Sequence, residues 1–237
     1  MSAAMGKYRE LRFAATLSGV ITFRMLGLFL ILPVFMILAR DVAGFSPQSA
    51  GLAVGVYGLT QAILQQPFGW LSDRWGRRPV LLLGLGLFAL GGVVAALAES
   101  MSALIAGRAL QGCGAIAGVA MAFAADVTRP ERRALVMAIL GMGIGGAFLL
   151  SMVLSVPIAN LLGLSGLFWL TAVLAVAGMA LVATLPDGKH PSVKADTADE
   201  HLPLAPVWLL ALSVFLLHGA MTLMFVALPP LLVQGMD

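Results

Sequence analysis

The chain has 237 residues, of which 60% are hydrophobic and 11% charged, with a formal net charge of +3. A water-exposed domain of this size needs a charged exterior that so few charges cannot furnish, so the composition excludes an ordinary soluble protein and places most side chains against lipid or other helices. Nucleic acid is excluded as a partner as well: the basic residues lie in short loops suited to anionic lipid headgroups, and no basic domain stands outside the apolar stretches.

About 20 consecutive apolar residues cross the hydrocarbon as a helix. Seven segments qualify, at roughly 13–39, 49–71, 79–98, 101–125, 134–158, 164–185 and 206–233. The fold class is therefore an all-α polytopic membrane protein. The first segment is too long for a signal-peptide core and lacks a small-residue cleavage site, so it reads as a retained span. Arg24 lies in its middle. The second span carries Tyr57, Gln61 and Gln65 every four residues, one polar stripe fit either to line a cavity or to hydrogen-bond between helices.

Between the second and third spans lies "GWLSDRWGRRPVL" (69–81), where a largely apolar chain packs three arginines and one aspartate among turn-forming residues. Gly69 permits close helix approach, Asp73 and Arg77 are four apart and pair if the turn is helical, and Gly76 lets the chain reverse before Pro79. Arg74 and Arg78 complete the loop. The fourth span holds Arg108 and Gln111, and Asp126 stands at its end, followed by Arg129, Arg132 and Arg133. An arginine in mid-membrane costs about 2.5–3.5 kcal/mol, so Arg24 and Arg108 are expected to face a wet cavity, and Asp126 is expected to need a cation or a helix N-terminus. The glycines of "GAIAG" (114–118) and "GMGIGG" (141–146) read as packing contacts.

Residues 186–205 are polar and proline-bearing, a solvated linker that closes a six-helix unit (1–185). The seventh span follows, with His218 on it, so 206–237 reads as the first helix of an incomplete second bundle. Lys7, Arg9, Arg12, Arg74, Arg77, Arg78, Arg129, Arg132, Arg133, Lys189 and Lys194 fall on one side of the membrane and Arg40 on the other. That asymmetry puts the N-terminus, the 69–81 loop and the linker in the cytoplasm. The lone Cys113 and the scattered His190, His201 and His218 offer no metal-ligand spacing, and no metal or other cofactor is implied.

The loop "GWLSDRWGRRPVL" resembles the signature of the major facilitator superfamily, Gly-x-Leu-Ala-Asp-Arg-x-Gly-Arg-Lys-x-x-Leu, with Ser72 for Ala and Arg78 for Lys. "LIAGRALQGCGAIAG" (104–118) is similar to the family's fourth-helix signature, with Arg108 and Gly112 at its fixed positions. The resemblance implies a 3+3 inverted repeat, in which Arg24-Met-Leu-Gly27 and Arg108-Ala-Leu-Gln-Gly112 occupy corresponding helices. It also implies a charge cluster of Asp73, Arg77 and Asp126, with Gly69, Arg74, Gly76 and Arg78 around it, that latches one state of a carrier. Asp73 would then face a helix of the second bundle. Arg24, Tyr57, Gln61, Arg108, Gln111 and His218 would line the substrate or proton pathway.

The function so implied is a secondary transporter of small molecules in a bacterial inner membrane, of the proton-coupled efflux type and not an enzyme. Its partners would be a small-molecule substrate, the lipid bilayer, protons, and a second bundle in the same polypeptide or another subunit. The fifth span departs from the antiporter pattern, with Ser155 and Val156 where Gly-Pro is usual and Pro157 one step later. No carboxylate lies in mid-membrane, so a coupling proton would ride on Asp73, Asp126, His218 or a residue elsewhere. Two other readings compete. "GLSG" (163–166) matches the Gly-x-Ser-Gly of rhomboid intramembrane proteases, with Ser165 and His218 as a dyad. A half-length membrane protein with a signalling or partner-binding role is the other.

Overall fold

The computed structural model describes residues 2–185 and a set of helical positions between 209 and 227, with side chains placed from Glu10 onward. The chain divides into two units, Met1–Lys189 and His190–Asp237. In the second unit the described positions are helical, and Ser213 Oγ donates to the Leu209 carbonyl at 2.8 Å. The linker expected at 186–205 and His218 lie outside the described residues.

In the first unit the helices are α1 (Ser2–Leu38), α2 (Pro47–Trp75), α3 (Arg77–Ala96), α4 (Met101–Cys113), α5 (Ala117–Val127) and α6 (Arg133–Ala183). Local chemistry sets their starts. Ser46 and Ser49 form a reciprocal capping box ahead of α2, each side chain accepting from the other's backbone N–H at 3.0 and 2.9 Å, with Pro47 in the first turn. Ser100 caps α4 by accepting from the Ala103 N–H at 3.4 Å. Gly76, at φ 94°, is the single residue between α2 and α3. Only glycine adopts that conformation without strain, which is why the chain turns so tightly there.

Among the described residues four stretches are long and apolar enough to cross a membrane: Glu10–Asp41, Arg77–Ala96, Met101–Val127 and Pro130–Ala183. The expected second span, inside the 29-residue α2, has the length but is more polar, because Gln61, Gln65 and Gln66 interrupt it. The expected fourth span is not one continuous helix. It breaks at 114–116 between α4 and α5, where a Cβ on Gly114 would collide with the Gly84 carbonyl of α3 and lie 3.0 Å from Phe88 Cβ. With no Cβ at Gly114, α3 comes close at the break.

The fifth and sixth spans form the 51-residue α6, which at 1.5 Å per residue is more than twice the thickness of a bilayer core of about 30 Å. It is two arms. Along the first, Ser18 Oγ donates to the Ile139 carbonyl at 3.0 Å and Ser151 Oγ to the Leu26 carbonyl at 3.4 Å, so this arm runs with α1. Along the second, Leu181 packs on Gly19 and Thr171 on Gly27, so this arm runs against α1. The reversal is at Gly163, with φ 64° and ψ −172°, a region essentially confined to glycine.

The apolar core joins α1, α3, α5 and both arms of α6 through Leu17, Ile21, Leu85, Phe123, Leu140 and Val182, all buried. Phe13 meets Phe123 edge to face at 4.8 Å. Two expectations about glycines fail. Nothing described lies within 4 Å of a Cβ placed at Gly69, so among the described residues no helix comes close there, and the same holds for Gly141, Gly145 and Gly146. Those residues point away from the bundle. Gly143, by contrast, packs directly on Ser18 and Thr22.

Candidate functional site

Two polar clusters stand out. The first is at the basic end, where α2 stops and α3 begins. Arg77, the first residue of α3, donates through Nη1 to Asp73 Oδ1 at 2.6 Å and to Ser72 Oγ at 2.6 Å, and through Nε to Asp126 Oδ2 at 2.8 Å. One guanidinium thereby ties α2, α3 and the end of α5 together. Ser72 is oriented by its own bond to the Gly69 carbonyl at 2.7 Å. The Arg77 side chain is 16% exposed, against 63% for Asp73 and 42% for Asp126. The carboxylates thus present free oxygens to solvent while the cation is held inside.

Of the other loop residues, Arg78 donates to the Ala183 carbonyl at the end of α6 at 2.9 Å. Arg74 stands apart from the cluster, its guanidinium stacked 4.1 Å from the centroid of Trp70. A further ion-pair set at this end was not anticipated from sequence: Glu10 of α1 meets Arg129 at 3.2 Å and Arg132 at 3.1 Å. It ties the start of the bundle to the turn before α6.

The second cluster lies inside the bundle. Arg24 and Arg108 are each 1% exposed, so they do not face an open wet cavity as their mid-span positions suggested. Side chains from α2, α3 and α4 close over them. Arg24 Nη2 donates to the Tyr57 hydroxyl at 3.1 Å and to Gln61 Oε1 at 2.8 Å, with Phe88 5.6 Å from its charge centre. Arg108 lies 4.5 Å from the centroid of the same Tyr57 ring and donates to Gln111 Oε1 at 2.9 Å. Gln111 Nε2 then donates to Thr171 Oγ1 at 3.1 Å, and Thr171 to the Phe168 carbonyl at 2.7 Å. The hydroxyl end and the face of one tyrosine therefore hold both arginines. Close contact between α2 and α4 makes this possible, since Gly112 has no Cβ to strike the Tyr57 carbonyl.

The expected pathway residues Arg24, Tyr57, Gln61, Arg108 and Gln111 are thus brought together, and His218 lies outside the described residues. Gln65 is not a member; its amide packs on Gly118 of α5 instead. Thr171 and Phe88 join the cluster unannounced. Thr171 is a hydroxyl in the otherwise apolar "FWLTAVLAV" (168–176), the one signal that could have drawn attention to it. Ser165 donates to the Ala96 carbonyl at 2.6 Å. Its hydroxyl proton is committed to an acceptor that cannot serve as a general base, which removes the geometry a serine nucleophile needs.

The model of the Major Facilitator Superfamily matches residues 17–237. The chain belongs to that family and is a multi-pass membrane protein. It is 48% identical over 172 residues to the inner membrane transport protein YajR of Escherichia coli (strain K12), a match covering 73% of this chain and 38% of that relative. It is 35% identical over 227 residues to an uncharacterized transporter of Buchnera aphidicola subsp. Schizaphis graminum, covering 93% of this chain and 58% of the relative. Among solved structures, the human organic anion transporter MFSD10 shares the fold at a TM-score of 0.64 and 22% identity, over 75% of this chain and 48% of that one. The chain spans about two fifths to three fifths of the length of the two curated relatives.

Proposed function

We propose that this chain forms the N-terminal bundle of a secondary transporter that moves a small molecule by alternating access, in the proton-coupled efflux manner, across a bacterial inner membrane. The basic end faces the cytoplasm. The observation that carries this reading is the Arg77 hub: a shielded cation bound to two half-open carboxylates at the end of the bundle. An element docking there gains a charged partner in one state and loses it in the other, which is what a two-state carrier requires.

The cluster of Asp73, Arg77 and Asp126, with Ser72 added and Gly76 shaping the turn, acts as the latch; Arg74 and Arg78 flank it. The Arg24, Tyr57, Gln61, Arg108 and Gln111 cluster belongs to the substrate or proton pathway. Of the groups that could carry a coupling proton, Asp73 and Asp126 belong to the latch and His218 lies outside the described residues; a proton carried by either aspartate would tie coupling to gating.

The test is flux. The full-length protein carrying this chain is reconstituted in vesicles with an imposed proton gradient, and uptake of a substrate panel is compared with that of Asp73→Asn. Gradient-driven flux that falls in the variant, with insertion intact, supports the latch. Undiminished flux in the variant refutes it, and flux indifferent to the gradient refutes proton coupling.

A further inference from the structure

The buried cluster has a charge imbalance that its own residues do not resolve. Arg24 and Arg108 are both fully enclosed and share one tyrosine, yet neither forms an ion pair among the described residues. Every partner they have among the described residues is neutral: the Tyr57 hydroxyl, the Gln61 and Gln111 carbonyl oxygens, and the faces of Tyr57 and Phe88. Buried cations are ordinarily matched by an anion.

The unspent groups are all donors. Arg24 Nε and Nη1 and Arg108 Nε are buried without a hydrogen-bond partner among the described residues. The Tyr57 hydroxyl accepts from Arg24, which leaves its own hydrogen free to be donated. A surplus of buried donors around two positive charges is the complement of an oxyanion, whose lone pairs accept several such hydrogens at once. A neutral or cationic solute would leave the imbalance as it is.

There is also a way in. Gln61 is only half-buried, and its neighbours Gly58 and Ala62 on α2 are exposed. Arg24 is therefore one side chain below an open helix face. Rotation of Gln61 away from Arg24 would uncover the guanidinium, and an incoming anion would take over the place of Gln61 Oε1.

We propose that the Arg24, Tyr57 and Arg108 cluster is an anion-binding site, and that its ligand is the carboxylate or phosphate group of a small organic molecule the transporter carries. This rests on the transport reading above and adds to it the charge class of the substrate. Tyr57 is the positioning residue that holds both cations, and Gln61 and Gln111 act as neutral stand-ins for the anion.

Equilibrium binding to the purified full-length protein tests this without recourse to flux. Melting temperature is followed at fixed ionic strength against sodium benzoate, sodium phosphate, benzyl alcohol and benzyltrimethylammonium. Binding to the folded state raises the melting temperature in a saturable way, and the expectation is that benzoate or phosphate does so while the neutral and cationic analogues do not. Arg24→Gln and Arg108→Gln should each abolish the shift. Tyr57→Phe, which keeps the ring and removes the donor, should weaken apparent affinity about tenfold and serves if the arginine variants fail to fold.

No shift with either anion overturns the site. A shift shared by benzyl alcohol, or one that survives in the foldable variants, overturns it too. Alternating access is read separately, by labelling single cysteines from each side of the membrane. A protein that alternates but binds no anion keeps the transport reading and loses the site; one that binds but never alternates does the reverse.

Discussion

Arg77 Nε lies 2.8 Å from Asp126 Oδ2, so the first residue of α3 and the last turn of α5 are joined through a guanidinium that also holds Asp73 and Ser72. Exposed ion pairs are generally worth about 0–1 kcal/mol, but a cation serving three partners while largely shielded loses more when removed. Arg77→Gln is expected to destabilise the bundle by about 1–2 kcal/mol, and Arg77→Lys by less, since a lysine keeps the charge without the fork. Thermal melting of the detergent-solubilised protein measures this. A double-mutant cycle with Asp126→Asn should show positive coupling, and independent effects would mean that the two side chains are merely adjacent.

Gln111 is the acceptor for Arg108 and the donor to Thr171. Gln111→Leu fills a similar volume but strips the buried guanidinium of its side-chain hydrogen bond. Leaving such a group unsatisfied costs about 1–3 kcal/mol, more when charged. The melting temperature should fall accordingly, and Arg108→Leu in the same background should restore part of the loss, because it removes the unpaired charge. A double variant worse than either single one would contradict this account.

At Gly112 two effects oppose each other. Alanine is favoured over glycine within a helix by about 1 kcal/mol, but here its Cβ would strike the Tyr57 backbone carbonyl and Thr60 Oγ1. Backbone does not move aside as a flexible side chain does, and overpacking typically costs about 1–3 kcal/mol. The sum is destabilising. Gly112→Ala should lower the yield of folded protein, whereas Gly141→Ala, with open space at its Cβ, should be neutral or slightly stabilising; equal yields would refute the contrast.

Glu10 answers two arginines, Arg129 and Arg132, and its side chain is 11% exposed. Glu10→Gln should cost about 1 kcal/mol in low salt and less as salt rises, since the exposed Arg129 is readily screened. Melting curves at two ionic strengths would show the difference narrowing, and a constant gap would point to a purely steric role.

Gly163 should tolerate no side chain, although nothing lies within 4 Å of its Cβ position. The obstacle is φ 64° with ψ −172°, which costs a residue bearing a Cβ about 1–3 kcal/mol. Gly163→Ala should therefore destabilise while Gly145→Ala, at an open helical position, should not. Melting temperatures of the two variants give a direct comparison.

Most of the bundle was legible because apolar length is a direct consequence of bilayer thickness, and the pairing of Asp73 with Arg77 follows from their i,i+4 spacing on a helical turn. From its own surroundings Asp126 could be seen to need a cation but not which one; it was the family resemblance that grouped it with Arg77, and the contact is made where α5 ends beside α3. The break at Gly114 was invisible because glycine is common in apolar helices and the backbone it packs on, at Gly84, is thirty residues away in sequence. Arg24 and Arg108 were recognisable as costly. Their concealment was not, since it depends on Tyr57 offering its hydroxyl to one and its face to the other. Glu10 could not be paired in advance because its partners, Arg129 and Arg132, are distant in the chain.

The reversal at Gly163 also bears on how the protein is made. From Ala134 to Pro186 the chain contains no charged residue, and its two arms are separated by a single glycine turn. With no polar loop to translocate and no charge to halt the chain, the arms are expected to leave the translocon together as one helical hairpin. A photocrosslinker placed at Leu150 in the first arm should label the translocon while only that arm has emerged from the ribosome, and lipid once both arms have. If it labels lipid at both stages, each arm inserts alone and biogenesis does not depend on the glycine turn.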